Sequence, residues 1–131
     1  IEEKNLPFDQ APAGMPGVET SLPLMLNHSQ TSDIDIKDIV KWMCENPATL
    51  YKIKNKGFLK EDFDADITIV DMNKEKIVDG KNMQSKCGWS AFDGKNLKGW
   101  PVITIVNGNI VFENEQINDE IKGKKVLFDE S

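Results

Sequence analysis

The apolar positions along the chain predict a helical first part and a β-rich second part. From Val18 to Asn27 the sequence is too apolar for a helix on the surface. Pro23 lies in the first turns of this segment, where the missing N–H of proline costs least. We therefore expect a buried helix over these residues.

A second helix is indicated after the polar linker at residues 29–33. Asp35 can cap its first turn together with Asp38, and we expect Pro47 to end it. Its apolar residues recur at i, i+3, i+4, i+7 and i+8, which predicts one face in the core, formed by Ile36, Ile39, Val40, Met43 and Cys44. A further short turn of helix is expected over residues 48–53.

After Phe58 the pattern changes to short β-branched runs, which predicts a small β-domain. Asn107-Gly108 is a strong signal for a tight hairpin, because both residues tolerate positive φ. A looser hairpin turn is predicted at 73–76. Strands are expected at 67–70, 77–78, 102–106 and 110–112, separated by turn residues. Turns are also expected at Asp93-Gly94 and Lys98-Gly99.

The loop before the first helix has an unusual composition. Residues 11–17 hold two prolines and two glycines. Proline fixes the backbone, and glycine lets a ligand approach the main chain closely. Such a loop suits recognition of a ligand by backbone N–H and C=O groups, although a plain tight connection has the same composition.

Charge and composition exclude some classes of partner. The 131 residues carry a net charge of −6, which argues against nucleic acid because phosphate binding needs clustered Lys and Arg. Lysines gather at 52–60 and 122–125, but acidic residues interleave with them or follow, so we interpret both as solvated faces. The sequence has no apolar run near twenty residues and no cleavable leader. We therefore expect no membrane partner and a cytoplasmic location.

The cysteines and the one histidine do not indicate a metal site. A disulfide would have to join Cys44 in a core helix to Cys87 in a loop, so reduced thiols are expected. Without a Cys-x-x-Cys pair, and with His28 as the only histidine, a Cys/His zinc site cannot be assembled from this chain alone. His28 ends an apolar helix, and we expect no catalytic role for it.

Several segments together resemble dihydroorotases of the cyclic amidohydrolase superfamily, in the same order along the chain. The first three of these segments resemble the last active-site loop of these enzymes. The sequence of Cys87–Gly94 is most similar to that of archaeal, type I enzymes. The segments are Glu2–Lys4, Ala11–Gly14, Gly17–Leu24, Asn46–Tyr51, Lys56-Gly57, Asp64–Asp71, Cys87–Gly94, Leu97–Gly99 and Thr104–Gly108.

The resemblance implies an α/β fold built from two parts. Residues 1–57 would be the C-terminal end of a TIM-barrel metal-dependent hydrolase, with the substrate loop and the closing helices. Residues 58–131 would form a small β-sandwich-like domain. Strands from the missing N-terminal part would join this sheet, so an unpaired edge is expected.

The chemistry implied by the resemblance is the reversible cyclisation of N-carbamoyl-L-aspartate to dihydroorotate in de novo pyrimidine biosynthesis. Zinc would supply the Lewis acid and the nucleophile, with its ligands and the catalytic Asp upstream of this chain. The chain itself is then expected to hold no metal and to be inactive alone. Main-chain groups of Pro12, Ala13 and Gly14 would hold the substrate, and the small residue at 13 leaves the depth of the pocket open.

Partners implied by the resemblance are the missing N-terminal barrel portion, a second copy in a homodimer, or aspartate transcarbamoylase. Two other functions stay open: a cyclic amidohydrolase acting on hydantoins, dihydropyrimidines or allantoin, and a non-catalytic homologue acting as an assembly module.

The loop at 85–99 also has two interpretations. Its interleaved aromatic and basic residues could form a platform that stacks bases. The resemblance favours a structural loop that packs the β-domain against the barrel. The residues concerned are Lys86, Trp89, Phe92, Lys95, Lys98 and Trp100.

Overall fold

The structure is a computed structural model that describes residues 2–129. Helices occupy the first part and strands the second, which confirms the predicted α/β class. In chain order the elements are a 3₁₀ turn Glu2–Asn5, α1 Val18–Ser29, α2 Ile36–Val40, a π-helical segment Lys41–Glu45, α3 Asn46–Leu50, β1 Ile67–Ile77, a 3₁₀ turn Gly80–Asn82, β2 Asn96–Val106, β3 Asn109–Glu113 and β4 Gln116–Ile117.

The described strands form one antiparallel sheet in the order β1-β2-β3-β4. β1 and β2 make the longest pairing, which runs from Ile67 opposite Ile105 to Ile77 opposite Asn96. β1 pairs with no described strand on its outer side, which agrees with the expected free edge. The β part is thus a four-stranded sheet with an open side.

Helix α1 packs on β2, and this contact contains much of the buried core. Thr20, Pro23 and Leu26 are buried on the helix, and Leu97 is buried on the strand. Gly99 lies in β2 with φ of +99°, and a Cβ atom there would come within 2.8 Å of the Leu26 Cβ. The predicted turn at Lys98-Gly99 is therefore wrong: the chain stays in the strand, and glycine admits the helix.

Backbone groups next to Gly99 bond to side chains of α1 and of the residue that follows it. The Lys98 N–H donates to Asn27 Oδ1 at 2.9 Å, and the Lys98 carbonyl accepts from Gln30 Nε2 at 3.0 Å. A buried peptide group needs such partners when the sheet does not provide them. The helix and the strand are thus joined by hydrogen bonds as well as by apolar packing.

The helix after residue 35 begins as predicted but does not end at Pro47. Asp35 and Asp38 form the capping box. At the other end, the Asn46 N–H bonds to the Lys41 carbonyl, five residues back, and α3 contains Pro47 in its first turn. Proline has no N–H to donate to the preceding turn. Because that turn is π-helical, with its hydrogen bond made one residue further back, the helix continues through Pro47.

Most of the predicted apolar face of this helix is not in the core. Ile39 is 2% exposed, but the other four members are exposed: Ile36, Val40, Met43 and Cys44. The prediction that these four side chains lie in the core is therefore wrong, because no described part of the chain covers them. In the described part of the chain they form an exposed apolar surface on the second helix.

Two predicted strands are one. The runs 67–70 and 77–78 belong almost entirely to β1, so the hairpin turn predicted at 73–76 is wrong. A bulge lies between Asp71 and Glu75, and the Asn73 N–H donates to Asp71 Oδ1 at 2.8 Å. Turn-forming residues here bend the strand without reversing it.

The other turns follow the sequence. Asn107-Gly108 joins β2 to β3 with φ of +49° and +79°, which confirms the tight hairpin. At Asp93-Gly94 the Asp93 carboxylate accepts from the Gly80 N–H at 2.6 Å, and the Gly94 N–H donates to the Val78 carbonyl at 3.0 Å. The Asp93-Gly94 turn is therefore tied to residues 78–80 by one side chain and one backbone group. That the 85–99 loop packs the β-domain against a barrel stays a prediction.

An ion-pair cluster joins the end of the helical part to the sheet. Lys56 pairs with Asp64 at 3.0 Å and with Asp66, and Asp66 also accepts from the Asn107 N–H at 2.7 Å. Desolvation acts to raise the pKa of Asp66, but Asn107 and Lys56 together hold that pKa below its usual value. The ionised carboxylate is thus the form that the folded chain stabilises.

We expect Gly99→Ala to lower the free energy of unfolding by about 2–4 kcal/mol, because it adds backbone strain to a clash with Leu26. The measurement is equilibrium urea unfolding of the chain. Gly108→Ala is the matched control: φ is again positive, but nothing lies within 4 Å of its Cβ, so about 1 kcal/mol is expected. An equal loss in the two variants would contradict the close-approach role of Gly99.

We expect Asp66→Asn to be less stable than wild type at pH 7, by about 1 kcal/mol after solvent screening. Because the folded pKa of Asp66 is depressed, its stabilisation is present above the unfolded pKa and is lost as pH falls through the folded one. The difference between variant and wild type should therefore shrink on acidification below about pH 4. Urea unfolding at a series of pH values measures this.

Asp62→Asn is the control for that series, since no described group pairs with Asp62. Asn also tolerates the positive φ of this residue, +67°. A gap between Asp66→Asn and wild type that is independent of pH would rule out the ion pair as its cause.

Candidate substrate-binding loop

The three predicted binding residues lie together in an exposed loop. Pro12, Ala13 and Gly14 are exposed and follow a turn in which the Ala11 N–H donates to the Pro7 carbonyl at 2.9 Å. Gly14 has φ of +91°, and the space around it is open. The loop can therefore be approached from outside, as binding through the main chain requires.

The side chain of Lys4 binds the carbonyl side of this loop. Its ammonium group donates to the carbonyl oxygens of Pro12, Ala13 and Gly14, with 3.1 Å to Ala13. No role for Lys4 was predicted from the sequence. The only indication in the sequence was that Lys4 belongs to a segment that resembles dihydroorotases.

The end of the loop is fixed to the start of α1. The Gly17 carbonyl accepts from the Ser21 N–H at 2.9 Å, from Ser21 Oγ at 2.6 Å and from Thr20 Oγ1 at 3.2 Å. Gly17 is the N-cap residue and has no side chain with which to cap. Hydroxyl groups of the first turn hold its carbonyl instead, and α1 in turn packs on β2.

Glu19 joins the first turn of α1 to the loop before Trp89. Its carboxylate accepts from the Gln84 N–H at 3.1 Å and from the Ser85 N–H at 3.0 Å. Ser85 Oγ lies 2.8 Å from Cys87 Sγ, and this hydrogen bond is the main cause that lowers the pKa of the Cys87 thiol. The 84–87 segment is thus held beside the start of α1.

Two concavities lie near this region, and the predicted binding residues line neither of them. A shallow one of about 500 Å³ is lined by Glu2, Glu3, Lys86 and Cys87. A groove of about 560 Å³ runs between α1 and the sheet, with Val18, Leu22 and Trp100 among its lining residues. Within residues 2–129 the loop is therefore an open surface and not the wall of a closed pocket.

The described residues offer no metal centre. No three His, Cys, Asp or Glu side chains between residues 2 and 129 are placed to hold an ion, and His28 is exposed on α1. Both cysteines are free thiols. No helix in the described part is long and apolar enough to cross a membrane.

The family description "Amidohydrolase family" matches residues 12–111. The chain therefore belongs to the amidohydrolase family. The match begins at the predicted binding loop and continues through α1, the helices and the sheet to β3.

Within this family, the chain is similar to proteins named as dihydroorotases. The chain is 39% identical over 115 residues to the dihydroorotase of Pyrococcus furiosus, covering 88% of this chain and 28% of that protein. It is 44% identical over 111 residues to the dihydroorotase of Acetivibrio thermocellus, covering 84% and 26%. The resemblance to dihydroorotases, archaeal ones among them, is confirmed.

A solved structure shows the same fold. The L-hydantoinase (dihydropyrimidinase) from Arthrobacter aurescens superposes with a TM-score of 0.82 and 35% identity, over 89% of this chain and 27% of that one. The chain thus spans little more than a quarter of the length of the relatives it matches.

We expect Glu19→Gln to speed hydrogen exchange of the Gln84 and Ser85 amides by about tenfold, because hydrogen bonds to a charged acceptor are worth about 1.5–3 kcal/mol. Mass spectrometry of the 83–88 segment measures the rate. Glu61→Gln is the matched control, since Glu61 is exposed and has no described partner. Exchange at 83–88 that is the same in both variants would show that Glu19 does not hold the segment.

Proposed function

We propose that this chain is the C-terminal part of a zinc-dependent dihydroorotase. The observation that carries the proposal is the 39–44% identity to dihydroorotases over most of the chain. The family match includes the exposed loop at 12–14. The reaction is hydrolysis of the ring amide of dihydroorotate to N-carbamoyl-L-aspartate, and its reverse. We place it in pyrimidine biosynthesis and in the cytoplasm.

In this proposal, the role of the chain's own residues is to bind and orient the cyclic amide. The main chain of the loop at 12–14 binds the substrate through its amide N–H groups, and its attachment to α1 through Gly17 holds the loop in place. Fixing a reactant in one orientation lowers the barrier by removing motions that the free reactants must lose. We assign no chemical step to a side chain of this chain.

The donor set needed for zinc is not met by the described residues, so we place the zinc ligands and the catalytic Asp in the preceding part of the polypeptide. When bound, zinc would polarise the amide and lower the pKa of a bound water. The isolated 131-residue chain is then inactive even with zinc.

We also propose that the preceding part of the polypeptide is a TIM barrel whose end packs on the helices described above. Exposed apolar residues support this packing, because a face of this kind is rarely left open in a soluble monomer. They lie on the π-helical segment and around α3: Trp42, Met43, Leu50 and Tyr51, at 46%, 40%, 75% and 64% exposed. A homodimer and association with aspartate transcarbamoylase remain further proposals about partners.

A second candidate is supported by the structural comparison. The L-hydantoinase likeness, at 35% identity, favours a cyclic amidohydrolase that acts on hydantoins or dihydropyrimidines. The two candidates differ in the substrate's charge, because dihydroorotate carries a carboxylate on its ring. Substrate comparison therefore separates them.

The test is zinc-dependent hydrolysis by the complete polypeptide, with dihydroorotate, hydantoin and dihydrouracil compared under the same conditions. We expect kcat/KM to be highest for dihydroorotate. A preference for hydantoin or dihydrouracil would establish the second candidate. No turnover of any of the three by the folded, zinc-loaded protein would favour an assembly role.

We expect Gly14→Ala in the complete polypeptide to lower kcat/KM for dihydroorotate by about tenfold or more, because alanine is strained at φ of +91° and shifts the loop. Gly108→Ala is the matched control, with φ of +79° and equally open space. It should leave kcat/KM within about twofold. Equal effects of the two changes would remove the loop from the binding site.

A further inference from the structure

The three carbonyl groups of the binding loop converge on one cation. An ammonium group has three N–H donors and no acceptor, and in Lys4 the loop's carbonyls at 12, 13 and 14 provide a partner for each. Lys4 makes no ion pair with a described carboxylate, although Glu2 and Glu3 precede it directly. The positive charge of Lys4 therefore interacts with the carbonyl groups of the loop backbone.

Convergence of the carbonyls fixes where the amide N–H groups point. No peptide bond between residues 2 and 129 is cis, and in a trans peptide the N–H lies opposite the C=O of the same plane. The N–H groups of Ala13, Gly14 and Met15 share their planes with the three carbonyls that face Lys4. They therefore point away from the ammonium, toward the open side of the loop.

These three amides are available as donors. Each of Ala13, Gly14 and Met15 is exposed, and none of their N–H groups donates to a group within the described residues. Successive backbone N–H groups on one side of a turn attract anions. An acceptor with negative charge, such as a carboxylate, suits them best.

The arrangement depends on the cation. Three carbonyl dipoles that point at one place repel one another, and the ammonium offsets that repulsion. Nothing else described holds the carbonyls of Pro12, Ala13 and Gly14, and Gly14 adds backbone freedom. Without Lys4 the peptide planes would be free to turn.

We propose that Lys4 is a positioning residue, which turns the amide N–H groups of Ala13, Gly14 and Met15 outward to bind a carboxylate of the substrate. This inference rests on the proposed dihydroorotase function, in which the substrate carries such a group. Lys4 itself lies on the opposite side of the peptide planes and does not touch the substrate.

The test uses the complete polypeptide with Lys4→Met, which keeps an unbranched side chain, one atom shorter, and removes the charge. We expect KM for dihydroorotate to rise about tenfold or more, with kcat within about threefold. Lys37→Met is the matched control, since Lys37 is exposed on α2 and its ammonium has no described partner. It should leave both constants unchanged.

A second measurement does not depend on substrate. The ¹⁵N order parameters of the Ala13, Gly14 and Met15 amides should fall in Lys4→Met from about 0.85 to below about 0.6. In Lys4→Ala, added ethylammonium should restore both the order parameters and KM in a saturable manner. Such rescue separates loss of the cation from general loss of folding.

The outcomes distinguish the inference from the function it rests on. A rise in KM with unchanged order parameters would overturn the positioning role, because Lys4 would then act on the substrate directly. Unchanged KM together with unchanged order parameters would overturn it as well. Loosening of the loop in a protein that never acts on dihydroorotate would overturn the substrate assignment, while the role of Lys4 in the loop would stand.

Discussion

The close approach of α1 to β2 at Gly99 is the contact on which the rest of the structure depends. It lets Leu26 reach 1% exposure and places Asn27 and Gln30 against the peptide groups of Lys98. A side chain at 99 would hold the two elements apart, so both the apolar burial and the hydrogen bonds require glycine there. The orientation of the helix on the sheet is set by this contact.

That orientation extends to the candidate site through α1. The helix begins at Gly17, whose carbonyl is held by Thr20 and Ser21, and Glu19 holds the 84–85 backbone beside it. The loop at 11–17 therefore leaves from a fixed end. A loop that is attached at a fixed point and held by Lys4 on its carbonyl side has few conformations to lose on binding a ligand.

The structure also explains why the helices leave so much apolar surface exposed. Six apolar side chains are buried among the described residues: Pro23, Leu26, Ile39, Ala48, Val78 and Leu97. These buried side chains lie on α1, on the sheet and on one side of the second helix. The other side, with Trp42 and Met43 exposed, is covered by no described part of the chain; we propose that it packs against the preceding part of the polypeptide.

Local physics decides the features that could be predicted from the sequence. A strongly apolar segment predicted α1, apolar spacing predicted the second helix, the side chains of Asp35 and Asp38 predicted its cap, and Asn107-Gly108 predicted the hairpin, because each depends on neighbouring residues alone. The resemblance of ordered segments supplied the family and the binding loop. Which carbonyls a distant lysine would bind could not be read from spacing.

Contacts in the folded chain set the other features. A π-helical turn carried the second helix past Pro47, pairing with β2 kept β1 from reversing at the turn-like residues 73–76, and α1 made Gly99 a packing position in a strand instead of a turn. At β1 and at Gly99, a contact between segments far apart in sequence outweighed a local preference worth about 1 kcal/mol. The contact of Lys4 with the loop likewise exists only in the folded chain, because the backbone between them must turn to bring the ammonium to the carbonyls of residues 12–14.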